Sequence, residues 1–274
     1  MPPHHHHRRH RARLILLLAT GILLVACSER GPAPHGLRSR EIHFGQASFR
    51  VVDMNLTKTP LALYWRNPVT HQPFDSIANL QQWGSRQGRT LLFAANAGIY
   101  DSQRKPLGLY VADGKTLVRL NTAHGNPRHG NFSLLPNGVF FIDTHGQAHV
   151  LTTPEFRKQH IHPRLATQSG PMLVIDGKLN AQFETDSHSV KWRSGVCAKS
   201  STQVVFAISE TPVNFHTFAR LFRDKLGCRN ALYLDGTLSQ FFVDGTYYGS
   251  PDFMVRPYAG MFAVFVPSRS KAEP

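Results

Sequence analysis

The pattern of apolar and polar positions predicts mostly short β-strands. Residues 48–55 alternate, with Phe49 and Val51 on one face, and a period of two is typical of a half-buried strand. We expect residues 61–65 to pair with this strand as its hairpin partner. Residues 90–98 form a continuous apolar run, which is typical of a strand buried on both faces. Further hairpins are predicted at Asp113-Gly114, Asn137-Gly138 and Asp176-Gly177.

Two segments have the spacing of amphipathic helices. In residues 74–86 the apolar positions recur every three residues, and in residues 211–227 they form one continuous face. In the second segment we expect Thr211 to be the N-cap and Pro212 the first helical residue, where its missing N–H costs nothing. Gly227 is expected to end that helix in a left-handed conformation.

The second helix lies between two apolar runs, residues 203–209 and 231–236. A strand, a helix and a strand over this length form a βαβ crossover, so we expect these two strands to be parallel partners. Residues 190–197 should form a hairpin with the first of them. The predicted fold class is therefore α+β, with mixed, largely antiparallel sheets, a C-terminal βαβ crossover and few helices.

The crossover is expected to bring two carboxylates to one edge of the sheet. Glu210 follows the first parallel strand and Asp235 ends the second, and this carboxyl edge is where open α/β sheets bind ligands. Cys197 and Cys228 are expected at one end of the same sheet. In an oxidising compartment such a pair is suited to a disulfide, and this placement is compatible both with a bridge and with two free thiols.

The N-terminus has the features of a lipoprotein export signal. Four arginines precede an apolar stretch of about a dozen residues, which ends in Leu24-Val25-Ala26-Cys27. This stretch is short for a membrane span and suited to secretion. Its end resembles a lipobox, so Cys27 is expected to be lipidated; an uncleaved signal anchor is the alternative. Ser28, in place of aspartate, favours an outer-membrane location facing the periplasm if the cell is Gram-negative.

The chain is accordingly divided into a signal peptide (1–26), a flexible tether (27–40), a single domain (41–268) and a tail (269–274). Its formal net charge is +14, and in a cytosolic protein such a charge would suggest a nucleic-acid partner. The export signal argues against nucleic acid and favours anionic lipid headgroups or phosphate-bearing glycans. Nothing in the sequence indicates an oligomeric state.

Four segments stand out in the predicted domain: FAANAGIYD at 93–101, QSGPMLV at 168–174, WRSGV with the following strand and helix at 192–228, and LYLDGTLSQFF at 232–242. Together they resemble the phosphodiester glycosidase family, over about residues 47 to 266. The family's Asn-(Ala/Gly)-Gly segment matches Asn96-Ala97-Gly98, and an Arg-x-x-x-Gly region loosely matches Arg193. Its Leu-Asp-Gly-Gly-Gly-Ser signature matches residues 234–239, except that Thr237 and Leu238 replace two glycines.

The resemblance implies a hydrolase of sugar-1-phosphodiester bonds, acting on envelope or extracellular glycans. No cofactor and no metal are expected. Hydrolysis at a sugar C1 requires an acid, together with a base or nucleophile on the opposite face, and Asp235 and Glu210 are the expected catalytic pair. The expected substrate-binding residues are Asn96, Gly98, Arg193, Gly236 and Ser239. Arg193 would bind the phosphate in bidentate fashion, and the glycines would let backbone N–H groups approach the anion.

Each assignment has a structural alternative. Asp235-Gly236 is compatible with a plain turn, Glu210 with a helix N-terminal acid, and Arg193 with a structural arginine. His124 and His129 are expected to be polar loop residues, because no cysteine or carboxylate cluster accompanies them. The alternative function is a non-catalytic, lipid-tethered binding module for anionic glycans or an envelope protein. That alternative gains weight if the two carboxylates and Arg193 lie apart.

Overall fold

Most elements in the described part of the chain are short β-strands. A computed structural model describes residues 34–123, 127–254 and 257–268, together with Met1. The α-helices are α1 (Ile77–Ser85), α2 (Thr153–Lys158) and α3 (Phe215–Arg220). The strands are β1 (Leu37–Phe44), β2 (Ala47–Asn55), β3 (Leu61–Tyr64), β4 (Arg89–Asn96), β5 (Tyr110–Ala112), β6 (Lys115–Val118), β7 (Gly138–Ile142), β8 (Ala148–Thr152), β9 (Leu165–Ser169), β10 (Met172–Ile175), β11 (Lys178–Leu179), β12 (Ser194–Ala198), β13 (Gln203–Ser209), β14 (Ala231–Asp235), β15 (Gln240–Val243), β16 (Thr246–Gly249) and β17 (Met261–Pro267).

These strands are arranged in three sheets. The first sheet has the order β1-β2-β13-β12-β14-β10-β11, the second β16-β15-β4-β17-β3 and the third β6-β5-β9-β7-β8. Within the described residues, neighbouring strands of all three sheets are antiparallel. The predicted α+β class with largely antiparallel sheets is confirmed.

The three sheets share one core. Side chains alternate across a strand, and the inward-facing set of each sheet contributes to a single apolar cluster. Phe206 of the first sheet has its ring centroid 5.1 Å from Phe93 and 5.0 Å from Phe262, both in the second sheet. Its ring also lies 6.2 Å from Phe140 of the third sheet. Aromatic contacts therefore fix the sheets against one another.

A helix covers the outer face of each sheet. On the first sheet, Phe218 of α3 lies 6.2 Å from Phe49. On the second, Leu80 of α1 belongs to the outer apolar cluster. On the third, Phe156 of α2 lies 5.2 Å from Phe141. No helix within the described segments is both long enough and apolar enough to span a membrane.

Two of the three predicted dipeptide hairpins are present. Asp113-Gly114 joins β5 to β6, and Asp176-Gly177 joins β10 to β11. The prediction at Asn137-Gly138 is wrong, because Gly138 is the first residue of β7 and the hairpin turn lies beyond Ile142. The glycine serves packing instead, since a Cβ at Gly138 would lie 2.2 Å from the Met172 sulfur.

The expected pairing of residues 61–65 with 48–55 is also wrong. β3 pairs with β17, at an edge of the second sheet. β2 has β1 on one side and β13 on the other, so both of its hydrogen-bonding edges are occupied. The predicted tether also ends earlier than expected, because β1 begins at Leu37 and residues 37–40 are part of the first sheet.

The crossover has the expected direction but a different neighbour relation. β13 and β14 run parallel, yet β12 lies between them and is antiparallel to both. The connecting helix begins at Phe215 with Asn214 as its N-cap, rather than at Pro212 with Thr211. The reason is local, since the N–H and C=O of Val213 both bond to Lys191 in an isolated bridge.

The far end of β12 carries a disulfide. Cys197 and Cys228 are bonded, with their Cα atoms 6.1 Å apart. Cys197 pairs with Ala231 on β14, three residues after Cys228. Both sulfurs are therefore at one end of the first sheet, as the sequence predicted, and the bridge ties β12 to the segment that enters β14.

Candidate active site

The three sheets meet where β4, β9 and β14 end. Asn96 closes β4 and donates from Nδ2 to Oδ2 of Asp235 at the end of β14, with 2.5 Å between the atoms. Ser169 closes β9 and donates from Oγ to the Leu234 carbonyl at 3.1 Å. Thr167 Oγ1 donates to the carbonyl of Ala97. Side-chain hydrogen bonds thus lock the three strand ends to one another.

Asp235 is a half-buried carboxyl with fixed orientation. Its Oδ2 accepts the hydrogen bond from Asn96, and its Oδ1 accepts one from the Gly236 N–H at 2.7 Å. Burial raises the pKa of Asp235 to about 6, against the opposing influence of these two donors and of the Lys191 ammonium. A carboxyl with such a pKa can exchange a proton near neutral pH.

Asn96 orients this carboxyl. The side chain is buried, and its Oδ1 accepts a long hydrogen bond of 3.4 Å from the Gln240 N–H. Because the oxygen is directed at a backbone donor, the amide nitrogen is left to face Asp235. The sequence predicted Asn96 as a substrate-binding residue, and its partner in the structure is the Asp235 carboxyl.

Asp235 opens onto a cavity of about 450 Å³. The lining residues are Ile99, Tyr100, Asp101, Ser102, Leu107, Gly130, Asn131 and Asp235. The Tyr100 hydroxyl is buried and has no hydrogen-bond partner among the described residues. Burial, and secondarily the charge of Asp235, raises the pKa of Tyr100 far above its usual range. Tyr100 therefore remains a protonated hydroxyl that can donate to a ligand.

Arg193 lies behind this cavity rather than in its lining. It is fully buried, and it donates from Nε to the Val213 carbonyl and from Nη2 to the Ser189 carbonyl, each at 2.8 Å. Its guanidinium carbon stacks 3.6 Å from the Phe215 ring centroid and lies 5.6 Å from that of Tyr233. Nη1 has no partner among the described residues. Two of its three nitrogens therefore bond backbone carbonyls, as in the structural alternative.

The glycines and Ser239 shape the site by close packing. Gly98 has a φ of +116°, a conformation that favours glycine. A Cβ at Gly236 would lie 2.5 Å from the Tyr233 hydroxyl. Ser239 is buried, and its Oγ donates to the Ser194 Oγ at 3.0 Å. The backbone–anion contacts expected of the glycines stay predictions.

The structure does not pair Glu210 with Asp235. Glu210 accepts from Arg50 Nε at 3.2 Å, and Arg50 lies on β2, on the far side of β13 from β12. Ser194 of β12 pairs with Ile208 on one side and with Asp235 on the other. The two parallel strands are thus about 10 Å apart, twice the spacing of neighbouring strands. Both strands still end at one edge of the first sheet, as expected, but they are not neighbours, because β12 lies between them.

Sequence reasoning missed four residues around Asp235. Tyr100 and Asp101 lie in the quoted segment 93–101, directly after the matched Asn-Ala-Gly motif, and this position is the signal that could have found them. Asn131 donates to the Tyr233 hydroxyl at 3.1 Å. Lys191 is exposed, and its Cδ would lie 3.7 Å from a Cβ on Gly236. Neither Asn131 nor Lys191 belongs to a pattern that points to the site.

The described residues contain no group of three His, Cys, Asp or Glu side chains arranged to hold a metal ion. His124 and the side chain of His129 lie outside the described residues, as do Cys27 and residues 2–26 of the predicted signal peptide. The expectations about them therefore stay predictions.

This arrangement can be compared with known proteins. The family model for phosphodiester glycosidases matches residues 89–265, which include Asn96, Arg193 and Asp235. The chain belongs to the phosphodiester glycosidase family. It is 34% identical over 212 residues to the Escherichia coli (strain K12) protein YigE, covering 73% of this chain and 80% of the relative.

Two solved structures share the fold. The zebrafish N-acetylglucosamine-1-phosphodiester alpha-N-acetylglucosaminidase catalytic domain, auto-inhibited by its pro-peptide, superposes with a TM-score of 0.57 at 14% identity. The match covers 86% of this chain and 85% of that domain. A hypothetical protein from Synechocystis superposes with a TM-score of 0.53 at 16% identity, over 84% of this chain and 62% of that one.

Proposed function

We propose that this phosphodiester glycosidase family member hydrolyses sugar-1-phosphodiester bonds in envelope or extracellular glycans, with Asp235 as its essential carboxyl. The observation that carries the proposal is the state of Asp235. It is oriented by Asn96, opens onto a cavity, and has a pKa raised to about 6. Family membership supplies the reaction class.

Asp235 is best suited to act as a general base. The leaving group is a phosphate monoester, which departs readily, so the step needs little acid assistance. With a pKa of about 6, Asp235 is mostly ionised at neutral pH. It would accept a proton from water as the water oxygen attacks C1. The bond from C1 to the phosphate oxygen breaks with its electron pair on the phosphate, which leaves a free sugar and a phosphomonoester.

Neighbouring groups would position the anionic substrate. Tyr100 offers a protonated hydroxyl to a phosphate oxygen, because it has no other partner among the described residues. Lys191 brings positive charge close enough to lower the pKa of Asp235. Asp101 lines the same cavity and therefore replaces Glu210 as the second candidate carboxyl. Its Oδ1 already accepts from the N–H groups of Gln103 and Lys105.

The separation of Glu210 from Asp235 favours the alternative of a non-catalytic binding module. Hydrolysis remains the better-supported reading, since Asp101 supplies a second carboxyl at the cavity and the pKa of Asp235 suits proton transfer. The deciding experiment incubates the purified chain with an N-acetylglucosamine-α-1-phosphodiester and measures the release of free sugar. A matched methyl glycoside without the phosphate is the control. We expect release from the phosphodiester alone. If no sugar-1-phosphodiester is cleaved, the binding module replaces the enzyme.

We further propose that the chain is an envelope lipoprotein anchored through Cys27. The basic start, the apolar stretch and the Leu-Val-Ala-Cys ending support this. Replacing Cys27 with serine should release the protein from the membrane fraction and remove the mass of the lipid. Unchanged fractionation and unchanged mass would contradict the proposal.

A further inference from the structure

A second, larger cavity lies away from Asp235. It has a volume of about 820 Å³ and lies between β3, at the edge of the second sheet, and the β5–β6 hairpin of the third. We call it the basic groove, and its defining residues are Trp65, Arg66, His71, Lys115, Leu117 and Arg164. It has no lining residue in common with the Asp235 cavity.

The basic groove carries positive charge without matching carboxylates. Among the described residues, no Asp or Glu forms an ion pair with Arg66, Lys115 or Arg164. Asp113 is the one carboxylate residue in its described lining. Arg66 is held in place, because its Nη1 donates to the His71 carbonyl at 3.0 Å and its guanidinium carbon lies 4.5 Å from the Trp65 ring centroid. A positioned guanidinium with free N–H groups is suited to an anionic oxygen.

Trp65 forms part of the wall of the basic groove. The residue is 8% exposed and lines the cavity. The exposed Leu117 side chain supplies an apolar surface in the same groove.

We propose that the basic groove binds an acidic oligosaccharide, whose carboxylate or phosphate groups contact Arg66, Lys115 and Arg164. A sugar combines acidic groups that can pair with these cations with C–H faces that can pack on Leu117. Single-stranded nucleic acid fits less well, because its bases need open aromatic faces, whereas Trp65 is mostly buried and Arg66 lies over its ring. Binding here does not depend on chemistry at Asp235.

The location suits a glycan that is also presented to the Asp235 cavity. Tyr64 at the end of β3 and Asn96 at the end of β4 both pair with Met261. These two strand ends are therefore about 10 Å apart, since each neighbouring pair is about 4.8 Å apart. The basic groove begins at the same end of the second sheet as the proposed active site.

The test measures binding of four probes to the full chain by titration calorimetry: a galacturonate hexamer, a phosphorylated dextran fragment, neutral isomaltohexaose and a single-stranded DNA 12-mer. We expect one or both acidic glycans to bind and the neutral one not to bind. The two acidic probes distinguish carboxylate from phosphate recognition. The double variant Arg66→Gln/Arg164→Gln should weaken the binding about tenfold to a hundredfold, as expected for the loss of charged hydrogen bonds.

Matched variants separate the basic groove from general positive charge. Lys178→Gln/Lys199→Gln removes two exposed lysines that do not line it and should leave acidic-glycan binding unchanged. The proposal would be overturned if the two double variants weakened binding equally, or if the neutral isomaltohexaose bound as well as the acidic glycans. It would also be overturned if DNA, rather than an acidic glycan, were the probe whose binding is lost in Arg66→Gln/Arg164→Gln. Asp235→Asn should retain glycan binding, which distinguishes this proposal from the catalytic one.

Discussion

Two parallel strands of the first sheet end in carboxylates that have opposite surroundings. Glu210 follows β13 and is paired with Arg50, and 25% of the Glu210 side chain is exposed. Asp235 ends β14, has no ion pair among the described residues, and receives its hydrogen bonds from Asn96 and its own following N–H. Burial dominates at Asp235 and raises its pKa to about 6.

The comparison shows that the end of a strand does not by itself produce a reactive carboxyl. A salt bridge at a partly exposed position stabilises a carboxylate and contributes little energy. Burial without a salt bridge opposes ionisation and leaves the group ready to take up a proton. The difference arises because Asp235 is buried where three sheets converge and has no ion-pair partner among the described residues, whereas Glu210 is paired with Arg50 of the neighbouring strand.

The largest expected effect is on catalysis. Asp235→Asn preserves shape and removes the proton acceptor, so kcat/KM for a sugar-1-phosphodiester should fall by about 10²–10⁴-fold. Glu210→Gln is the matched control, since it removes the carboxyl from the end of the other parallel strand. It should leave kcat/KM within about threefold of the wild-type value. Comparable losses of kcat/KM in both variants would show that the different surroundings of Glu210 and Asp235 do not matter for catalysis.

The second expected effect is on stability, and its sign follows from the pKa. The pKa of Asp235 is higher in the folded chain, about 6 against an ordinary 3.8, so folding favours the protonated form. The wild-type free energy of unfolding should therefore fall as pH rises from about 4 to about 6. The total loss should be about 2–3 kcal/mol, from roughly two pKa units.

Asp235→Asn removes this titration and serves as the comparison. Denaturant unfolding of both proteins across pH 4–8 should show the variant gaining on the wild type up to about pH 6, after which the difference stays constant. Parallel stability curves would mean that Asp235 is not held in an environment that opposes its charge.

The sequence predicted the class of fold and the position of Asp235 well, because both depend on local patterns. Alternation, apolar runs and Asp-Gly turns predicted most strands. Asp235 followed from an apolar run that ends in a carboxylate, supported by the family motif. The disulfide was an open expectation that the structure shows formed.

The errors concern contacts between segments distant in sequence. Nothing local indicates that β12 lies between β13 and β14, and this insertion separates Glu210 from Asp235. Arg193 matched a motif, and the structure gives it the carbonyls of Val213 and Ser189 as partners, so its contact with a phosphate stays a prediction. Asn131 and Lys191 come to Asp235 from segments without any recognisable pattern. A side chain's partners depend on the packing of three sheets, which periodicity cannot supply.

The smallest expected effect is that of Lys191, a nearby cation whose charge acts on the pKa of Asp235. The Lys191 ammonium lowers the pKa of Asp235, so Lys191→Gln should raise that pKa. Interactions with exposed charges are weak, and the ascending limb of kcat/KM against pH should move upward by less than about one pH unit. KM for a phosphodiester should also rise a few-fold, because positive charge near the phosphate is lost. Lys199→Gln, an exposed lysine near the far end of β12, is the matched control and should change neither quantity. If the ascending limb stays in place in Lys191→Gln, or moves equally in both variants, Lys191 does not act on Asp235. Burial, Asn96 and the Gly236 N–H would then be the remaining influences on the pKa of Asp235.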